Sequence, residues 1–188
     1  MATVEIVPNG DNAYGTAWGG DYTVVDEGSG AIATGFGEEI ATGVNGRKEF
    51  FNWSTDSAFS GATISQIEFF YHAKKAASGA FIPQLYIGGT AYDGFAPTLT
   101  TSYATYSTVW PINPADSAVW ESTDINNIVA GFINDNPRGF GNLTVVATTW
   151  IIVTYTAGYG NDVIGVASGD ISKINGIATA NISKVNGV

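Results

Sequence analysis

Cysteine is absent from this 188-residue sequence, and with it go disulfide frameworks, thiolate metal sites and cysteine nucleophiles. Histidine occurs once, at His72, which excludes a His-rich zinc site or a two-histidine relay. Basic residues are scarce: seven Lys and Arg against seventeen Asp and Glu give a net charge of −10. The few cations are scattered, so nothing is clustered to displace phosphate counterions, and no nucleic-acid partner is expected. An anionic membrane surface would repel the chain for the same reason. No run of about 18 apolar residues occurs. The opening MATVEIVPNGDNAYG has no basic segment followed by an apolar stretch, so no signal peptide is expected, and synthesis in a cytoplasm follows.

Catalytic patterns are missing too. No G-x-S-x-G elbow stands between a strand and a helix, and Gly35-Phe36-Gly37 lacks the βαβ context of a phosphate loop. Paired acids for glycoside hydrolysis are not set out by alternation, because Glu68 is alone on its strand and Glu38-Glu39 lies in a glycine-rich stretch. His72 reads as a surface or packing residue. The chain is not expected to be an enzyme, and no cofactor is expected. A structural calcium ion stays open among the turn carboxylates Asp21, Asp26, Glu27, Asp93, Asp116 and Asp124, although no EF-hand spacing is present.

What the sequence does contain is glycine (24 residues), aromatics (10 Phe, 9 Tyr, 5 Trp) and a 45% hydrophobic fraction. Many turns with many aromatic and β-branched residues predict an all-β sandwich or barrel. In Ile64–Lys74, Ile67, Phe69, Tyr71 and Ala73 alternate with Glu68, Phe70, His72 and Lys74, the period of a strand with one face on a core. Leu143–Tyr155 is apolar on both faces and reads as a central strand, with Leu143, Val145, Ala147, Ile151 and Val153 opposed to Val146, Trp150 and Ile152. Phe81–Ile87 and Tyr103–Val109 are further strands. Gly88-Gly89 marks a hairpin. Val4–Val7, Tyr22–Val25 and Glu49–Trp53 are weaker strands. One short helix is expected, capped by Ser122 or Thr123, with Asp124 in its first turn, Ile125, Ile128 and Val129 at helical spacing, and Gly131 ending it.

Composition changes after about residue 157, where TAGYGND forms a linker. Residues 1–157 form the predicted body and 158–188 a tail with an 11-residue period: IGVASGDISKI (164–174) aligns with NGIATANISKV (175–185), and NGV opens a third unit. Repeated Asn-Gly and β-branched residues favour short extended pieces joined by turns over a helix. So small a unit cannot shelter Val166, Ile171, Ile174, Ile177, Ile182 and Val185 by itself, which points to an intermolecular partner.

Two features resemble tailed-phage virion structural proteins. Tyr106, Asn113-Pro114, Trp120, Ile125, Ile128, Gly131 and Val145–Tyr155, with Tyr14, Trp18 and Val24–Asp26 earlier, are similar to a recurring sandwich domain of such proteins. The tail is similar to GVATANISKVNGV repeats at the ends of phage and bacterial structural proteins. The resemblance implies a jelly-roll-like β-sandwich serving as head decoration, head fibre or tail-associated protein, located in the virion. Its partners would be sister subunits, in a trimer for preference, and a major capsid or other virion protein. No long shaft is present, which departs from a complete tailspike. The alternative from another class is a carbohydrate- or receptor-binding module of a phage tail or surface filament that recognises a cell-surface glycan. Most aromatics, Trp150 among them, are expected in the core; Tyr86, Tyr92 and Phe95, around a turn-rich loop, are the candidates for a ligand patch.

Overall fold

The computed structural model describes residues 1–16, 18–19, 22–26, 28–30, 39–55, 59, 61–135, 143–156, 173–174 and 177–178. Its strands are β1 (Ala2–Ile6), β2 (Pro8–Thr16), β3 (Ile40–Thr42), β4 (Lys48–Trp53), β5 (Thr63–Lys75), β6 (Phe81–Ile87), β7 (Thr90–Asp93), β8 (Ala104–Trp110), β9 (Val129–Asn134), β10 (Thr144–Thr156), β11 (Lys173–Ile174) and β12 (Ile177–Ala178). Among the described residues one α-helix, α1, spans Ser122–Asn126.

Two antiparallel five-stranded sheets build a jelly-roll-like sandwich. The first runs β1-β10-β5-β8, with β3 also paired to β10; the second runs β2-β4-β9-β6-β7. β1 and β3 share one edge of β10, at Ile151–Tyr155 and Thr144–Val146. Between them the Val25 carbonyl accepts the Thr149 N–H at 3.1 Å, so the edge is satisfied along its middle.

The core is aromatic. Phe69 and Tyr71 of β5 face Phe81 of β6 and Phe132 of β9; Phe69 stacks on Phe132 at 5.1 Å and Phe81 meets Phe132 edge-on at 4.8 Å. Such pairs contribute about 0.5–1.5 kcal/mol each beyond the area they bury. The alternation expected in β5 holds: Ile67, Phe69, Tyr71 and Ala73 are all fully buried, and Glu68, Phe70, His72 and Lys74 lie on the outer, partly exposed face.

β10 differs from the expected alternation. A bulge between Val146 and Thr148 shifts its register against β5, and an extra residue flips every later side chain to the other face. Val146 therefore joins Ile151 and Val153 in the core, and Val145 does not. Trp150 is buried, at 5% exposure, but on the outside of the sheet. There its ring lies parallel to that of its cross-strand neighbour Phe70 at 5.2 Å, so it is not part of the core between the sheets.

The helix is shorter than its periodicity suggested. Its N-cap is Glu121, whose N–H donates to Asp124 Oδ2 at 2.9 Å, and its C-cap is Asn127. Ile128 is buried, and Val129 begins β9, which carries Gly131 in mid-strand. The apolar spacing read as helix was the join between a single helical turn and a strand. Tyr22–Val24 forms a 3-10 turn where a strand was expected. Gly88 and Gly89 join β6 to β7 with φ of +58° and +90°, the double positive φ of a tight hairpin.

Candidate functional site

Alternation along the second sheet sets its two faces. Phe51, Trp53, Phe81, Leu85, Ala130 and Phe132 enter the core; the residues between them, Phe50, Asn52, Gln84, Tyr86 and Gly131, lie on the outer face. In register, Phe50 opposes Gly131, Gly131 opposes Gln84, and Gln84 opposes Asp93. One row therefore crosses four strands as ring, bare backbone, amide and carboxylate. The next row holds Asn52, Val129, Tyr86 and Ala91. Asn12 Nδ2 donates to Asn52 Oδ1 at 2.7 Å, an amide pair at the β2–β4 side of this sheet.

Gln84 is 5% exposed. Its Nε2 donates to Asp93 Oδ1, and since an ionised carboxylate only accepts, that bond fixes which end of the amide is which. The amide oxygen Oε1 is buried and has no hydrogen-bond partner.

The chain turns off this sheet at Gly94, whose N–H donates to the Pro83 carbonyl at 2.7 Å. A Cβ at position 94 would sit 2.6 Å from Thr108 Cγ2 and 2.8 Å from Trp110 Cζ2. Gly94 faces inward against β8, so the next side chain must face outward. That residue is Phe95, 81% exposed, with its carbonyl accepting the Thr108 hydroxyl at 3.4 Å.

The three residues expected to form a ligand patch are not brought together as a set. Tyr86 points outward, with its ring against Phe50 at 5.7 Å. Tyr92 opposes Leu85 and packs against the core on the inner face. Phe95 projects beyond the β7 edge, two residues on from Asp93. Gln84, Asn52 and Asn12 were not singled out from sequence. The polar residue in FIPQLYI at an outward position is the signal that would have found Gln84.

The outer face of the first sheet carries a second polar cluster. Tyr103 stacks on His72 at 5.3 Å and donates its hydroxyl to Glu39. Lys74 Nζ lies 4.0 Å from the Tyr103 ring centroid and 3.8 Å from Glu39 Oε2. His72 Nδ1 is 3.0 Å from Thr105 Oγ1. Partial burial lowers the His72 pKa from its ordinary value, and burial and the Glu39 carboxylate raise that of Tyr103. These groups partner one another.

Among the described residues no three His, Asp or Glu side chains come together to hold a metal ion. Asp93 holds Gln84, Asp116 accepts the Ala118 N–H and Asp124 the Glu121 N–H; Asp21 and Glu27 lie outside the described residues. In the tail, Ile174 opposes Ile177 and Lys173 opposes Ala178 in a two-stranded pair, the extended pieces read from the repeat. Val166, Ile171, Ile182 and Val185, and the junction at residue 157, lie outside the described residues.

No protein-family model matches the sequence, and no curated protein matches it. Among solved structures, a point mutant of a family 29 carbohydrate-binding module is similar at 12% identity, covering 80% of this chain and 91% of that one, with a TM-score of 0.44. A second mutant of a family 29 module gives 13% identity, 88% and 100% coverage and a TM-score of 0.42. A family 4 carbohydrate-binding module gives 14% identity, 63% and 82% coverage and a TM-score of 0.33. Likeness at this level carries no inference about what this chain binds.

Proposed function

We propose that this chain is a non-catalytic module that binds carbohydrate at the β6–β7 edge of its second sheet, with Phe95 as the stacking ring. The observation that carries this reading is an 81% exposed aromatic ring on a backbone pinned to Pro83 on one side and Thr108 on the other. A backbone already pinned at residues 94 and 95 has little further freedom to lose on binding. The face of the ring suits the apolar face of a sugar, and Asp93 and Gln84, beside it on the same edge, are the hydroxyl-binding groups that such sites need. The test is a glycan array probed with the full chain and with Phe95→Ala. The variant should keep its thermal midpoint and lose at least about tenfold in affinity, roughly 1.4 kcal/mol. Unchanged binding by the variant overturns the reading.

A second reading concerns attachment. We propose that the tail joins the module to sister copies, in a trimer, or to a capsid protein, as the resemblance to tailed-phage virion proteins suggests. The β11–β12 pair supports it: two strands of two residues each are far too small to be stable alone. Deletion after Ala157 should leave a folded body that no longer co-sediments with particles. Undiminished co-sedimentation removes this reading and leaves the first intact.

A further inference from the structure

We infer that the ligand is a neutral saccharide and that Gln84 selects it by accepting one hydroxyl hydrogen on Oε1; this rests on the carbohydrate reading above. Gln84 is the outward-facing polar side chain of this edge that is held from one side and unpaired on the other. Asp93 accepts from the amide nitrogen, so the unpaired end, Oε1, is an acceptor. An acceptor pairs with a donor, and sugar hydroxyls are donors; a carboxylate or sulfate presents only acceptors to it.

Charge points the same way. Asp93 is exposed beside Gln84, and the whole chain carries −10, so an anionic glycan meets repulsion both locally and at a distance. Oε1 is enclosed by its surroundings, so the rim side chains must turn aside as the hydroxyl enters. A buried amide oxygen without a donor is unfavourable, and the bound hydroxyl would relieve this. Asp93 is then a positioning residue, acting through the orientation it gives the amide.

Calorimetric titration of the full chain with neutral oligosaccharides, and with uronic-acid and sulfated counterparts of the same backbone, tests this. Neutral ligands should bind at least about tenfold more tightly than the charged ones. Gln84→Met keeps the volume and removes the acceptor; it should weaken neutral binding at least about tenfold without lowering the thermal midpoint, because the Asp93 it releases is solvent-exposed. Asp93→Asn should weaken binding less, and should narrow the preference for neutral over charged ligands. If Gln84→Met binds as the parent does while Phe95→Ala fails, the inference is wrong and the carbohydrate reading stands. Equal or tighter binding of the charged ligands also overturns it. If no member of the panel binds, both fall together.

Discussion

The rings of Phe50 and Tyr86 meet at 5.7 Å although their strands are separated by β9, and the residue between them is Gly131. Two strands apart is a separation of about 9–10 Å, so the rings close over a position with no side chain. A Cβ at position 131 would overlap the Glu49 carbonyl oxygen and Phe50 Cα. These are backbone atoms, which cannot swing away. Gly131→Ala should destabilise the fold by about 2–3 kcal/mol, read as a lower urea midpoint with the slope unchanged.

Tyr71 predicts an alkaline limit to stability. Its hydroxyl is buried against Thr108 at 3.2 Å, and burial raises its pKa from 10.0 to about 12. Above pH 10 the unfolded chain releases this proton and the folded chain keeps it. Stability is therefore full below pH 10 and declines as pH rises towards about 12. Tyr71→Phe should cost about 1 kcal/mol at neutral pH and flatten that decline in denaturation curves taken at pH 9, 10 and 11.

His72 works in the opposite direction. Desolvation lowers its pKa below 6.5, so the folded protein prefers the neutral ring, and stability falls as acid protonates the unfolded chain first. A proton NMR titration should place its midpoint below that of an unstructured histidine peptide. His72→Gln should remove this contribution to the acid dependence.

Much of this fold was legible from sequence where a strand had one wet face. β5 follows its alternation closely, β6 forms where a strand was expected, and the glycine pair turns the chain where it should. Legibility failed where a non-local event changed the period. The bulge in β10 is an extra residue that no side-chain pattern announces, and it puts Val146 on the same face as Ile151 and Val153 in place of Val145. The segment 122–134 failed for a related reason: Ile125, Ile128 and Val129 have helical spacing, but the contacts of Val129–Asn134 with β4 and β6 pull the later residues into a sheet. Tertiary pairing overrode a weak local preference.

The site was half visible. Exposure of Phe95 follows from turn chemistry, but the opposed directions of Tyr86 and Tyr92 required a register. The link between Gln84 and Asp93 spans a hairpin whose pairing the glycines alone do not specify.

Trp150 offers a further test of the outer face. Its ring contributes to the first sheet from outside the sandwich, stacked on Phe70. Trp150→Ala should destabilise the protein by about 3 kcal/mol, as a core truncation would, while leaving the near-ultraviolet signature of the inner aromatic cluster largely intact in the folded state.

The position of β10 bears on how the molecule withstands force. Thr156, the last described residue before the proposed tail, ends the strand that is laddered to β5 from Thr144 onward and flanked by β1 and β3 on its other side. A pull on the tail therefore runs lengthwise along that strand, and antiparallel hydrogen bonds lie crosswise to it. The load falls on the ladder in shear, with many rungs bearing it at once instead of unzipping singly. A module tethered by this end would hold under drag that would peel away a strand at the margin of a sheet.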